Sequence, residues 1–194
     1  MRLAPLLVIA GAAAGCSAPK LAPTISNRAP VATGGLLTIS EDSFGPLRAD
    51  SQATLAALRA AFTGFDVRPT NDTTLSYSVF LDNEKLVWII PNEDGSLFNV
   101  HATSARIETR GHDWRVGSAF SGSRYLTHCE CWGENPTCYR QGDHIAVNFK
   151  RDCDSVVGTH ASATLRVLDG EVIQRVIWSP KPFSNDDSDD VADP

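Results

Sequence analysis

Long apolar runs are missing from most of this sequence. A spanning helix takes ~20 apolar residues, and the uncharged run at residues 3–14 falls well short of that. Basic charge is also scarce, with 17 Lys and Arg against 23 Asp and Glu and a formal net charge of −6. Nucleic-acid binding calls for a basic patch or stripe, and none is present. Catalytic signatures are missing too. There is no H-E-x-x-H, no G-x-S-x-G, no Walker loop and no G-x-G-x-x-G. The five histidines (His101, His112, His128, His144 and His160) are scattered, with no pair at helical i, i+4 spacing. These absences leave no predicted catalytic residue, no metal site and no cofactor.

What is present begins at the two ends. Arg2 precedes the apolar run, and Ala13-Ala14-Gly15 leads directly into Cys16. A positive start, a short apolar core and small residues at the end describe a secretory signal. A cysteine at that position resembles the lipobox of bacterial lipoproteins, so residues 1–15 are predicted to be removed and Cys16 to be acylated. More than one acyl chain is needed for stable anchoring, and the diacylglyceryl and N-acyl groups of such lipoproteins meet that need. Ser17 in place of Asp favours the outer membrane, by resemblance to enteric-type sorting. Residues 16–36 are rich in Pro, Gly and small polar side chains and read as the anchor and a flexible tether. Residues 184–194 hold five aspartates and no basic residue, which predicts a solvated acidic tail. The acidic balance of the chain lies mostly in that tail.

A single domain is expected over residues 37–183. One helix is predicted at residues 52–63, capped by Asp50 or Ser51, with Leu55, Leu58 and Phe62 on one apolar face and Gly64 just beyond it. Strands are predicted at residues 75–81, 85–90, 97–101, 104–109, 144–149, 163–168 and 171–178. Asp82-Asn83-Glu84 and Asn92-Glu93-Asp94-Gly95 separate the earlier ones. Asp169-Gly170 joins the last two and suits a type I′ turn. Short links make the strands antiparallel. The predicted fold class is α+β, an antiparallel sheet with one or two helices packed on one face. Phe44-Gly45-Pro46-Leu47 and Val116-Gly117-Ser118-Ala119-Phe120 suggest two repeated units of helix plus strands.

Several segments carry a family resemblance. They are Ile39-Ser40-Glu41 followed by Gly45-Pro46-Leu47-Arg48-Ala49, then Val87-Trp88-Ile89-Ile90, Gly117-Ser118-Ala119-Phe120-Ser121, His144-Ile145-Ala146-Val147-Asn148-Phe149 and Val176-Ile177-Trp178. In that order they resemble the small proteobacterial envelope lipoprotein family typified by the sigma-E-regulated lipoprotein, the domain of unknown function 1131. The resemblance spans roughly residues 37–180. It implies an envelope lipoprotein linked to envelope stress and brings no catalytic residues with it.

Four cysteines follow Cys16. An even number in an exported chain reads as disulfides. Neighbours two apart on a strand point the same way, which disfavours Cys129–Cys131. The resemblance implies Cys131–Cys138, and so Cys129–Cys153. Two other uses of these thiols stand beside that one. Cys129-Glu130-Cys131 next to His128 would make a redox pair, although the C-x-x-C at a helix start that lowers a thiol pKa is lacking. The same residues would serve in a zinc site, although C-x-C is tighter than the usual spacing.

Trp88, Trp178, Phe80 and Phe149 lie in predicted strands and are expected in the core. Trp114 and Trp132 lie in loops, at the core edge or in a binding patch. The expected function is a non-enzymatic binding or structural module, held to the membrane by its lipid and facing an unidentified envelope protein partner in the periplasm. The alternative is a redox or metal-dependent envelope protein using the Cys129/Cys131/Cys138 loop. A third reading, a carrier of lipid or another apolar ligand, requires an open apolar cavity.

Overall fold

The computed structural model describes residues 37–71, 74–122, 124–132, 135–153 and 168–184. The predicted signal, Cys16, the tether and the strand at residues 163–167 lie outside the described residues, as does all of the acidic tail beyond Ser184. Among the described residues the chain is mostly β, with eleven strands in two sheets and one short helix. This corrects the α+β expectation of helices packed on a sheet.

The larger sheet contains β3 (Asp66–Asn71), β4 (Leu75–Leu81), β5 (Glu84–Pro91), β6 (Leu97–Ala102), β8 (His128–Trp132), β9 (Asn135–Tyr139), β10 (Ile145–Phe149) and β11 (Ile173–Trp178). Their order across the sheet is β3-β4-β5-β6-β11-β10-β9-β8, and every neighbouring pair is antiparallel. Two four-stranded meanders therefore meet at the last strand of each. The smaller sheet joins β1 (Thr38–Ser40), β2 (Ser43–Phe44) and β7 (Glu108–Thr109), with β1 and β7 parallel.

β-Branched residues alternate along the strands and fill one face of the large sheet. Val87 pairs with Ala102 and Ile89 with Val100, while Val147 pairs with Val176 and Ile145 with Trp178. All are buried in one core with Leu37, Ile39, Phe44 and Leu47 of the β1–β2 region. The indole Nε1 of Trp178 donates to the Glu41 carbonyl at 3.1 Å and ties the small sheet to the large one. In the Gly45-Pro46-Leu47 turn, Gly45 has φ 54°, and a Cβ there would stand 2.9 Å from the Leu37 side chain.

The helix α1 covers Leu55–Ala61, shorter than predicted, and its cap is Thr54 rather than Asp50 or Ser51. The backbone of Ala53 donates to Gly95 at 2.7 Å and Gln52 bridges to Ser96. Residues 52–53 are thus committed to the β5–β6 turn and cannot start a helix. Leu58 and Phe62 are fully buried, and Leu55 is half-buried at the core edge. Residues 116–120, predicted to lead into a second helix, instead pair with the approach to β11. Gly117 donates to Ile173 at 2.8 Å and Phe120 to Glu171 at 2.7 Å. The segment at residues 104–109 is a turn followed by the two-residue β7, which leaves the large sheet.

The turns also differ from expectation. Asp82 and Asn83 both have positive φ, at 53° and 65°, between the paired residues Leu81 and Glu84. That is the type I′ signature. At Asp169-Gly170 only Gly170 is left-handed, and Glu171 donates to the Leu168 carbonyl. A positive φ at the second central residue alone is the type II pattern.

Candidate functional site

The reverse face of the large sheet carries the residues that alternate with the core set. In register across its centre these are Ser78 opposite Trp88, Trp88 opposite His101, His101 opposite Ile177 and Asn148 opposite Arg175. The face divides in two. Over β9–β11, Tyr139, Ala146, Ile177 and Phe183 make a small apolar cluster separate from the main core. Over β4–β6 the face is aromatic, polar and cationic.

His101 is the centre of the second part. It is 4 % exposed, lies 4.9 Å from the Trp88 ring by centroids, and neither of its ring nitrogens has a hydrogen-bond partner among the described residues. A buried polar group without a partner costs about 1–3 kcal/mol. Burial, with Arg175 and then Lys85 adding like charge, pushes its pKa down to about 3. The ring is therefore neutral at ordinary pH, with one nitrogen able to donate and the other to accept.

Two cations cover the indole of Trp88. The Arg175 guanidinium lies 5.2 Å and the Lys85 ammonium 5.6 Å from its ring. Such contacts are worth ~0.5–2 kcal/mol, more when desolvated. Burial also lowers the pKa of Arg175, and no carboxylate among the described residues lies within ion-pair distance of it. Further out, Arg68 stacks on Phe80 at 4.6 Å and is paired with Asp66 at 2.5 Å. Asn148 donates to Thr137 at 2.9 Å, while its buried Oδ1 has no partner. Chemically, the β4–β6 part of this face brings an indole, a neutral imidazole and two cations together.

The cysteines fall elsewhere. The β8–β9 register places Cys129 opposite Cys138 and Cys131 opposite Pro136. Cys129 is bonded to Cys138 and Cys131 to Cys153, with Cα separations of 4.1 and 5.8 Å. This corrects both expected bridges, Cys131–Cys138 and Cys129–Cys153. The physical reason is the two-residue loop side of the hairpin: the residue directly across the ladder is the one within disulfide reach. All four sulfurs are engaged. Cys138 and Cys153 are buried.

The remaining predicted residues are dispersed. His112 stacks on Trp114 at 3.9 Å, and Tyr125 packs edge-on to both. Trp114 is 3 % exposed, so it closes the core edge and offers no binding patch. Burial lowers the pKa of His112, and burial with a hydrogen bond to Asp143 raises that of Tyr125. His144 contacts the Ser179 carbonyl through Nδ1 at 2.8 Å. His128 lies beside Tyr139. His160 and the Trp132 side chain lie outside the described residues. Trp178 and Phe149 are core residues as expected. Trp88 and Phe80 are half-buried on the reverse face. Two clefts among the described residues are lined by polar and charged groups, such as Glu108, Arg110 and Asp113 in one and Lys150, Arg151 and Asp152 in the other. Neither is the apolar cavity that a carrier needs.

The Trp88–His101–Arg175 site was missed by sequence reasoning. Its only signal was the alternation of Val87 and Ile89 with Trp88, which places the indole opposite the core. Seeing Arg175 beside it requires the β6–β11 pairing, between strands far apart in the chain.

No protein-family model matches the chain, and no curated protein sequence matches it. Among solved structures it is similar to the crystal structure of the uncharacterized protein yfeY from Escherichia coli, at 18 % identity and a TM-score of 0.52. The match covers 73 % of this chain and 99 % of that one. At that identity the likeness is one of fold: the chain shares the architecture of yfeY.

Proposed function

We propose that the chain is a non-enzymatic envelope lipoprotein, anchored through Cys16 on the periplasmic side of the outer membrane, whose sheet domain binds an oxyanion of an envelope component on its reverse face. The family of domain of unknown function 1131 is the kinship we propose for it, on the segments that resemble that family. The two disulfides fit an exported protein. The observation that carries the binding reading is His101, buried under Trp88 with both ring nitrogens unpartnered among the described residues, with the guanidinium of Arg175 nearby and no described carboxylate within ion-pair distance of it. A phosphate or carboxylate group would accept from both side chains.

The test of binding uses the full chain in detergent, titrated with tripolyphosphate and followed by the His101 and Trp88 ring resonances. Saturable shifts are expected, with Arg175→Gln weakening binding at least fivefold and Arg175→Lys recovering part of it. No saturation up to ~10 mM, a free energy of only about −3 kcal/mol, overturns the reading. Two further measurements address the anchor and the thiols. Cys16→Ala should lose acyl label and leave the membrane fraction; unchanged attachment refutes the anchor. The protein unfolded without reductant should show no free thiol. Two or more would favour a redox or metal role for the Cys129/Cys131/Cys138 loop.

A further inference from the structure

We infer that Cys131 is a site of thiol–disulfide exchange: an incoming thiol opens the Cys131–Cys153 bridge and is held on Cys131 as a mixed disulfide, while Cys129–Cys138 stays closed. Neither the reverse face nor its ligand takes part.

Access to the four bonded cysteines is unequal. Cys131 is exposed and Cys129 half-buried, whereas Cys138 is fully buried and Cys153 is 5 % exposed. Exchange requires a thiolate to reach one sulfur of the bond. In Cys131–Cys153 the exposed end is open to attack and the buried end is the leaving side. In Cys129–Cys138 neither end is exposed.

An open cleft of about 460 Å³ adjoins the segments that carry the accessible bridge. It is lined by Asn135, Lys150, Arg151 and Asp152. Asn135 precedes Pro136, the residue across the ladder from Cys131, and Asp152 directly precedes Cys153. Lys150 and Arg151 stand against Asp152, and Arg151 is paired with Glu171 at 2.5 Å. The lining is near electrical balance, so access rather than thiolate stabilisation decides which sulfur is attacked.

Reclosure separates the two bridges further. β8 and β9 are in register at five positions, with Cys129 directly opposite Cys138. If that bond opens, the ladder holds the two sulfurs together at high effective concentration, and they rejoin. Cys153 follows β10, which β9 separates from β8 in the sheet. Among the described residues no ladder holds Cys153 against Cys131. Their sequence separation is 22 against 9 for the other pair, and a longer loop costs more entropy to close. Once opened, this bridge persists long enough to be trapped.

The step balances without a further reagent. The thiolate attacks Sγ of Cys131, a new S–S bond forms there, and the bond to Cys153 breaks. The electron pair leaves on Sγ of Cys153, which takes a proton from water. One disulfide replaces another, with no net oxidation. With a dithiol, its second thiolate attacks its own sulfur in the mixed disulfide. That releases Cys131 as a thiol, and the two electrons that reduce the bridge come from the dithiol, which becomes a disulfide.

The experiment uses the full chain, folded in detergent. Reduced glutathione is added in rising concentration, the reaction is quenched in acid, free thiols are alkylated and the cysteine peptides are identified by mass spectrometry. Glutathione on Cys131, alkylation of Cys153 and an intact Cys129–Cys138 bridge are expected, with Cys131–Cys153 opening roughly tenfold or more faster than its neighbour. Dithiothreitol should go on to leave Cys131 and Cys153 as free thiols with Cys129–Cys138 still closed. Glutathione on Cys153, or first on Cys129, overturns the inference. Both bridges opening at one rate, or no adduct while the chain stays folded, does so too. So does an opening rate that rises with urea in step with global unfolding, because exchange would then need no site in the folded chain.

Discussion

The two faces of the large sheet use the same strands for opposite ends. One face alternates Val, Ile and Trp178 into a closed core. The other sets Trp88, His101, Ser78 and Arg175 at the intervening positions. Both faces bury side chains, and among the described residues the reverse face leaves both ring nitrogens of His101 and the Oδ1 of Asn148 without partners, while Gln174 Oε1 is a further unpartnered buried atom of β11. Burial on the first face is a source of stability, because apolar area leaves water at ~25 cal/mol per Å². Burial on the second also desolvates charge and hydrogen-bonding groups, which opposes stability.

The sharpest way to break this contrast is a matched pair of tryptophans. Trp178→Ala should cost ~3–5 kcal/mol, as for a large residue cut from a packed core. Trp88→Ala should cost clearly less, since its indole is half-buried and faces cations rather than core. Equal losses in urea unfolding would erase the distinction between the faces. Leu58→Ala should fall in the range of ~2–5 kcal/mol, because Leu58 is fully buried beneath the helix. A loss below 1 kcal/mol would remove α1 from the core.

The disulfides come next in size. Chain-entropy reasoning assigns each bridge about 3 kcal/mol. The longer loop of Cys131–Cys153, at a sequence separation of 22 against 9, contributes about 0.8 kcal/mol more. Removing the bridges one at a time by paired Cys→Ser changes should reproduce that order in thermal melts. The reverse order would show that strain or residual unfolded structure dominates.

The last comparison is a slope with pH, read per pH unit. His101 has its pKa near 3 when folded and near the usual 6.5 when unfolded. At pH above 6.5 neither state binds the proton, so His101 contributes no pH dependence. Between about 6.5 and 3 the unfolded chain takes the proton and the folded one does not. Stability therefore falls as the pH falls, by up to ~1.4 kcal/mol per pH unit. His101→Gln should flatten that part of the profile relative to the parent chain. An unchanged slope would show that His101 is protonated in place.

How much of this was legible in the sequence follows from what each residue depends on. Leu58, Phe62, the β4–β5 and β5–β6 turns and strands β4, β5, β6, β10 and β11 came from local period and turn chemistry, which act within a few residues, whereas β1, β2, β3, β8 and β9 went unpredicted. The helix start was misplaced because Ala53 bonds to Gly95, a contact no local pattern records. The fold class failed at residues 116–120 for the same reason, since their partners lie at residues 171–173. The cysteine pairing was set by the β8–β9 register, and that register is decided by which residues flank a hairpin loop rather than by counting from a motif. The candidate site needed two strands from different meanders, so it was beyond any reading of neighbours in sequence.

The junction of the meanders has a consequence for motion. Val176–Ala102, Ile177–His101 and Trp178–Val100 are in register across it, as few pairs as β9–β10 has and half the six of β3–β4. The junction also joins segments distant in the chain, so its closure bears the loop-closing entropy that the local hairpins avoid. It is the natural hinge line along which the molecule would breathe into two preformed halves. His101 sits on that line. Amide exchange at Ala102 and Ile177 should then quicken relative to Val79 and Val87 as acid charges the imidazole in the opened form, making a proton the wedge that holds the two halves apart.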